Sequence, residues 1–223
     1  MRHAESSMAK SAGGLPPPPK RLQATLVTWG GGLEFHRIHD LAFGGSAFNI
    51  STKGNARFSP ITDDAGALIP TLYAGTTLDC ALMETIFHDV PFKAGFKPFS
   101  KLKMDGKVHS DLKPTANFRL IDLSTLALHK LGVKRTQLID TTKAHYPATR
   151  RWAQALYTQF PDAQGLRWTS RQDDQAHALM LFGTRISPSA LGWAGSSESL
   201  LLGGHAQPSV IDLATRIGVT LVD

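Results

Sequence analysis

Arg57-Phe58-Ser59-Pro60, a polar loop through Asp63 and Asp64, Leu68-Ile69-Pro70-Thr71-Leu72-Tyr73-Ala74-Gly75, and then Thr76-Thr77-Leu78-Asp79-Cys80-Ala81-Leu82-Met83-Glu84: this stretch decides how the chain is read. Leu68 to Gly75 is a short apolar run that reads as a buried strand, with Pro70 near its start. Thr76 or Thr77 can cap a helix over about Leu78 to His88. Asp79 falls in its first turn, where the macrodipole favours an anion. Leu78, Leu82 and Ile86 make one stripe of that helix, and Cys80, Met83 and Phe87 lie close to the other side. A helix apolar nearly all round is a buried one. Glu84 sits within it, and burying a carboxylate without partners is costly. Glu84 therefore needs either a Lys or Arg partner serving stability alone or a functional role. Tyr73, near the end of the strand, is the second residue to explain.

Outward from this stretch the composition is that of an ordinary globular protein: 223 residues, 42% hydrophobic and 19% charged. Residues 1–22 hold Ser6-Ser7, Gly13-Gly14 and the run Pro16-Pro17-Pro18-Pro19, too little apolar surface to offset ordering entropy. A disordered Pro-rich tail over 1–22 is expected, followed by one domain over 23–223. No apolar run approaches the roughly 18 to 20 residues that span a bilayer, and residues 1–22 lack the apolar centre of a secretory signal. The expected location is the cytoplasm. A single cysteine, Cys80, excludes an internal disulfide framework, and the nine histidines are scattered without Cys/His ligand spacing. No metal is expected.

The net charge of +6 is concentrated. Between Pro91 and Arg119 stand Lys93, Lys97, Lys101, Lys103, Lys107, Lys113 and Arg119 against Asp105 and Asp111. This segment reads as a solvated mobile loop, a phosphate-facing flap, a nucleic-acid surface or a docking face for an acidic partner. Phe92, Phe96 and Phe99, interleaved with Lys93 and Lys97, give the nucleic-acid reading its form: a non-catalytic binding module.

Elsewhere, Ala24 to Trp29 and Leu33 to Ile38 read as strands, the second placing Phe35 and Arg37 on one face and His36 and Ile38 on the other. An inward Arg needs an anionic partner. Gly44-Gly45-Ser46-Ala47-Phe48 through Gly54-Asn55-Ala56-Arg57-Phe58 is Gly-rich and polar, able to bring backbone N–H groups to a phosphate but without P-loop spacing. Phe118 to Leu123 reads as a strand, Ser124 caps a short helix ending near Gly132, and Thr149 to Phe160 is an amphipathic helix with Trp152, Leu156 and Phe160 buried. Gly165 to Arg171 and Ala178 to Phe182 are further strands. Ser170, at a strand end, can hand a hydroxyl to a cleft. The last elements are a helix over Leu213 to Ile217, stopped at Gly218, and a strand over Val219 to Val222.

There is no Gly-x-Ser-x-Gly, His-Glu-x-x-His or Gly-x-Gly-x-x-Gly motif, so hydrolase triads, zinc peptidases and dinucleotide folds have no support. Two arginines, a Tyr, a helical Glu and a Ser remain. These suit cleavage of an N-glycosidic bond in a dinucleotide: arginines neutralise a pyrophosphate, an aromatic stacks on a flat ring, and a carboxylate stabilises an oxocarbenium-like ribose. One carboxylate is enough, because a cationic nicotinamide departs neutral and needs no general acid.

Phe35-His36-Arg37-Ile38, Gly54-Asn55-Ala56-Arg57-Phe58-Ser59, Leu72-Tyr73-Ala74, Cys80-Ala81-Leu82-Met83-Glu84 and Gly165-Leu166-Arg167-Trp168-Thr169-Ser170, in this order, make the chain resemble RES-domain proteins. These are the toxin half of bacterial RES–Xre (ParT/ParS-like) toxin–antitoxin pairs. The resemblance implies an α+β fold similar to diphtheria-toxin-type ADP-ribosyltransferases, with mixed sheets and flanking helices. It also implies consumption of NAD+ as substrate, without a metal. Carried over, Arg37 and Arg57 bind the phosphates or adjoining ribose, Tyr73 stacks on nicotinamide, Glu84 stabilises the transition state and Ser170 hydrogen-bonds the substrate. The acceptor implied is phosphate, water or a side chain of a target protein. The partner implied is an Xre-like, ParS-like antitoxin through which operator DNA is bound. Two places depart from the family pattern: Ala56 stands where a second glycine is frequent, and the Ile61–Ile69 loop is longer.

Overall fold

A computed structural model of the chain describes residues 14–193 and 196–223. The elements run β1 (Thr25–Trp29), β2 (Phe35–Asp40), β3 (Ile61–Thr62), β4 (Leu68–Ile69), β5 (Thr71–Gly75), α1 (Leu78–Thr85), β6 (Lys97–Ser100), β7 (Lys107–Pro114), β8 (Phe118–Asp122), α2 (Thr125–Leu131), α3 (Arg135–Leu138), α4 (Tyr146–Gln159), β9 (Gly165–Thr169), β10 (His177–Phe182), β11 (Leu191–Trp193), β12 (Glu198–Ser199), α5 (Ala206–Arg216) and β13 (Val219–Val222). The class is α+β.

The main sheet has the order β1-β8-β9-β10-β5-β2-β7-β11, with β12 also on β7. Its pairs are antiparallel except β8 with β9. That parallel pair needs a crossover, and α2, α3 and α4 supply it. Alternation sorts the strands onto two faces. Ile121, Leu166, Trp168, Ala178, Met180 and Phe182 pack under Trp152, Ala153 and Leu156 of α4. Their neighbours Leu72, Ala74, Leu120, Leu179 and Leu181 join Phe35 and Leu112 on the reverse face. A further cluster sets Leu82 and Met83 of α1 against Ile38 and against Val210 and Leu213 of α5.

The single strand expected over Leu68–Gly75 is divided at Pro70, which has no N–H to give a ladder. β4 turns back on β3 as a small hairpin, and the Asp63 carboxylate accepts from the Ala65 and Ala67 amides at its tip. This hairpin makes up the Ile61–Ile69 loop. α1 begins where the pattern puts it, with the Thr77 hydroxyl accepting from Cys80 N. It ends at Thr85 rather than His88, since the Ile86 and Phe87 amides both turn to the Leu82 carbonyl.

Two expectations need correction. Of the tail expected to be disordered, residues 1–13 lie outside the described residues, but 14–22 are docked along α4. Trp152 Nε1 donates to Pro16 O at 2.7 Å, Leu22 N to Gln159 Oε1 at 2.7 Å, and Leu15 and Leu22 pack on the core. Proline removes a donor but leaves its carbonyl free to accept, which is how a Pro-rich segment is held. The 91–119 segment is not one loop. β6, β7 and the start of β8 occupy most of it, with Val108, Ser110 and Leu112 buried between exposed or half-exposed lysines. Phe99 is buried, while Phe92 and Phe96 remain exposed. No helix among the described residues is long and apolar enough to cross a membrane.

Candidate active site

β2 and β5 are neighbours in the sheet but share only one register pair, His36 with Gly75. Beyond it the ladder stops, and a cleft of about 950 Å³ opens between Arg37, Ile38 and His39 on one strand and Thr71, Tyr73 and Ala74 on the other. Side chains from both sheet faces reach it for that reason. α1 closes one end. A Cβ on Gly75 would lie 2.7 Å from Ala81 N, so only glycine lets β5 finish this close to the first turn of α1.

Four of the five expected residues, Arg37, Arg57, Tyr73 and Glu84, line this cleft. Glu84 makes no salt bridge among the described residues; its carboxylate accepts the Ser170 hydroxyl at 2.7 Å. No Lys or Arg among the described residues pairs with it for stability alone. Ser170 differs from expectation: it is fully buried and lies behind the cleft lining. Its oxygen also accepts from the amides of Gln172 and Asp173 at 3.0 and 3.2 Å. Those two donors fix the oxygen, so its proton is free only for Glu84. Ser170 touches the carboxylate, not the space a ligand would fill.

The arginines are held differently. Arg37 is 7% exposed and donates to Gly45 O at 2.5 Å. Burial lowers its pKa to about 10, still cationic at neutral pH. The glycine loop therefore meets Arg37 through carbonyls, not through amides aimed at a phosphate. Arg57 is 6% exposed, its guanidinium lies 5.7 Å from the Tyr146 ring centroid, and its Nη1 is buried with no hydrogen-bond partner. The loop carrying it is pinned to the start of α4: Thr149 Oγ1 donates to Arg57 O, and Arg150 to Ala56 O and the Asn55 side chain. Ala56 does not adopt a positive φ, so its backbone conformation does not call for a glycine.

Tyr73 stands edge-on to Trp168, with ring centroids 6.2 Å apart, and its hydroxyl accepts from Phe58 N at 3.1 Å. Burial pushes the phenol up to about 12, so it stays neutral. Beneath α1, burial likewise pushes Cys80 up to about 12, which leaves an inert thiol.

The cleft also holds residues that the sequence pattern did not single out. Trp168 lines it, and its indole N–H is buried and without a partner among the described residues. Strand alternation puts Trp168 and Ser170 on one face, which is the signal that could have found it. Tyr146, His88 and His39 line the cleft as well. His39 Nδ1 lies 2.9 Å from Asp40 O and Nε2 2.8 Å from Ser110 Oγ. A carbonyl only accepts, so Nδ1 carries the proton and Nε2 accepts from Ser110.

Burial lowers the pKa of His39, His88 and His177. Unfolded histidine titrates near pH 6.5, so below that pH the unfolded chain binds more protons than the folded one. Stability is full above about pH 6.5 and is lost as pH falls towards the lowered folded values. The melting temperature should decline from pH 6.5 to pH 5, before carboxylates near pH 4 contribute. A thermal melt that is constant down to pH 5 would contradict the burial of these rings.

Among solved structures, the chain is similar to one described as the crystal structure of the M. tuberculosis MbcT–MbcA toxin–antitoxin complex. The TM-score is 0.55 at 12% identity, covering 76% of this chain and 85% of that one. At this identity the likeness is one of fold. Comparison with curated proteins finds no significant match. Sequence models of protein families match residues 34–193 to the RES domain. That span begins just before β2, ends with β11 and includes every side chain that lines the cleft, and on this match the chain belongs to the RES domain family.

Proposed function

We propose that the chain is the toxin of a toxin–antitoxin pair and cleaves NAD+ at the nicotinamide–ribose bond, on a fold of the diphtheria-toxin ADP-ribosyltransferase type. The observation that carries this reading is the charge layout of the cleft: among the described residues, it is lined by one carboxylate without a cationic partner, Glu84, and by two buried guanidiniums without acidic partners, Arg37 and Arg57. Left to itself each of these costs stability. A molecule that is anionic at one end and develops positive charge at the other satisfies all three.

Arg57, with its free Nη1, and Arg37 receive the diphosphate by charge-assisted hydrogen bonds. Tyr73 and Trp168 give the nicotinamide end a flat apolar seat and the indole N–H a polar partner. As the C1–N bond breaks, its electron pair moves onto the pyridinium nitrogen and nicotinamide leaves neutral. The ribose becomes oxocarbenium-like, and the Glu84 carboxylate, already oriented by Ser170, stabilises it. An acceptor oxygen then adds to C1 and loses its proton. Phosphate, water or a side chain of a target protein are the candidate acceptors. An Xre-like antitoxin that covers the cleft is the partner this reading entails.

Incubating the pure protein with NAD+, with and without phosphate, and weighing the products tests the reading. Nicotinamide release is expected, and ADP-ribose, its 1″-phosphate or a mass-shifted protein names the acceptor. Intact NAD+ together with salt-sensitive affinity for RNA or DNA would favour the nucleic-acid module instead. That reading is weakened by Phe99, which is buried and unavailable as a stacking platform.

Ser170→Ala keeps the charge of Glu84 and removes its orienting hydrogen bond. A hydrogen bond to a charged group is worth about 1.5–3 kcal/mol, so turnover should drop roughly 10-fold or more while the KM for NAD+ stays within a factor of about two. Steady-state kinetics separate the two: an increase in KM alone would mean that Ser170 meets the substrate after all.

A further inference from the structure

The fold assembles a group that the linear sequence hides. His36 on β2 and His109 and Asp111 on β7 come together because the strand register pairs His36 with Asp111 and Ile38 with His109. His36 Nδ1 is 3.0 Å from His109 Nε2 and 2.8 Å from Asp111 Oδ1, and His109 Nε2 is 3.2 Å from the same oxygen. The two rings are stacked, with centroids 5.2 Å apart.

As a hydrogen-bonded cluster this arrangement is incomplete. The two imidazole nitrogens share one proton between them, yet Asp111 Oδ1 is buried and accepts no hydrogen bond despite both nitrogens being close. A buried carboxylate oxygen without a donor is expensive. The three ligand atoms lie within 3.2 Å of one another, and a cation in place of the shared proton would meet both imidazoles and the carboxylate.

We propose that His36, His109 and Asp111 form a binding site for one divalent first-row transition metal ion. The donor triangle has sides of 2.8, 3.0 and 3.2 Å. Imidazole and carboxylate ligands bind such ions at about 2.0–2.2 Å, which sets right-angled neighbours about 2.9 Å apart and tetrahedral neighbours about 3.3 Å apart. The observed spacing matches three ligands on one face of the ion. Two imidazoles and one carboxylate form a borderline donor set that suits Zn2+, Ni2+, Cu2+ or Fe2+ rather than Mg2+ or Ca2+. The Asp111 side chain is 45% exposed and that of His36 24%, so solvent or a small ligand can complete the coordination. None of the three lines the cleft. The ion would tie β2 to β7 at the one position where β2 also pairs with β5, behind Arg37.

Metal-stripped full-length protein, titrated with Zn2+ alone against a chromophoric chelator, should take up one ion per chain at this site. Its melting temperature should climb with Zn2+ concentration, because the ion binds the folded state. Asp111→Asn keeps the shape and removes the anionic donor, and His36→Gln removes one imidazole from a partly exposed position. Disturbing even an outer partner of a metal ligand costs about 10- to 100-fold in affinity, so each variant should lose at least that much and lose the Zn2+-dependent rise. Circular dichroism and metal-free melts report whether the variants fold. Wild-type protein without a stoichiometric site, or both folded variants binding Zn2+ as wild type does, overturns the assignment. These readouts are independent of NAD+ turnover, so either proposal can fail alone.

Discussion

Replacing Glu84 by Gln should slow NAD+ consumption by about 1,000-fold without lowering the melting temperature. The variant retains the shape of the side chain, and its amide oxygen can still accept the Ser170 hydroxyl that holds Glu84 at 2.7 Å. No ion pair is lost, since Glu84 makes none among the described residues. What disappears is one negative charge beside the ribose. Removing a single preorganised electrostatic contact at a reacting centre costs about 100- to 1,000-fold, and this carboxylate is the only acidic side chain of α1 that lines the cleft. NAD+ binding, measured by calorimetry, should change little, because Arg37 and Arg57 are untouched. Single-turnover release of nicotinamide within about 10-fold of wild type would remove Glu84 from the mechanism. Substrate affinity falling instead would give it a role in binding.

The same substitution shows which parts of this site were legible in sequence. Arg57, Tyr73 and Glu84 lie within 28 residues, and local rules account for their placement: a capping Thr77, a helix apolar all round, and a strand that ends at a glycine. Ser170 stands 86 residues from Glu84, and nothing local distinguishes a hydroxyl that orients a carboxylate from one that meets a ligand. That distinction depends on which side of Glu84 the β9 end arrives at, a property of sheet order. The histidines were illegible for a similar reason. Residues 36, 109 and 111 show no ligand spacing until β2 and β7 pair in one register, and a slip of one residue would send His36 to the opposite face. The basic segment misled in another way. Its lysines suggested a solvated loop, but Lys107 and Lys113 only flank a strand in which Val108, His109, Ser110 and Leu112 are buried, and charge density masked that core. Pro16 to Pro19 misled because composition measures what a segment can bury, not whether α4 offers donors such as Trp152 Nε1 to its carbonyls.

Arg57→Met should raise the KM for NAD+ by about 10- to 100-fold and, at the same time, raise the melting temperature of the substrate-free protein. The two effects have one source. Arg57 is 6% exposed, no acid pairs with it among the described residues, and its Nη1 has no hydrogen-bond partner. Contact with the Tyr146 ring at 5.7 Å offsets only part of that desolvation. Methionine fills much of the same volume without a charge, and replacing a buried, poorly compensated ion by a packed apolar side chain is commonly neutral or stabilising. A guanidinium kept under such conditions is stabilised by something that arrives later. A charge-assisted hydrogen bond to phosphate is worth about 1.5–3 kcal/mol, and at 1.4 kcal/mol per tenfold this gives the expected change in KM. Arg57→Lys separates charge from geometry: a lysine retains the cation but not the planar fork, so affinity should recover only in part. Melting curves and steady-state kinetics on the Met variant decide between the two roles. Lower stability with unchanged KM would make Arg57 a structural residue bound to Tyr146, and the phosphate seat would then have to be built around Arg37.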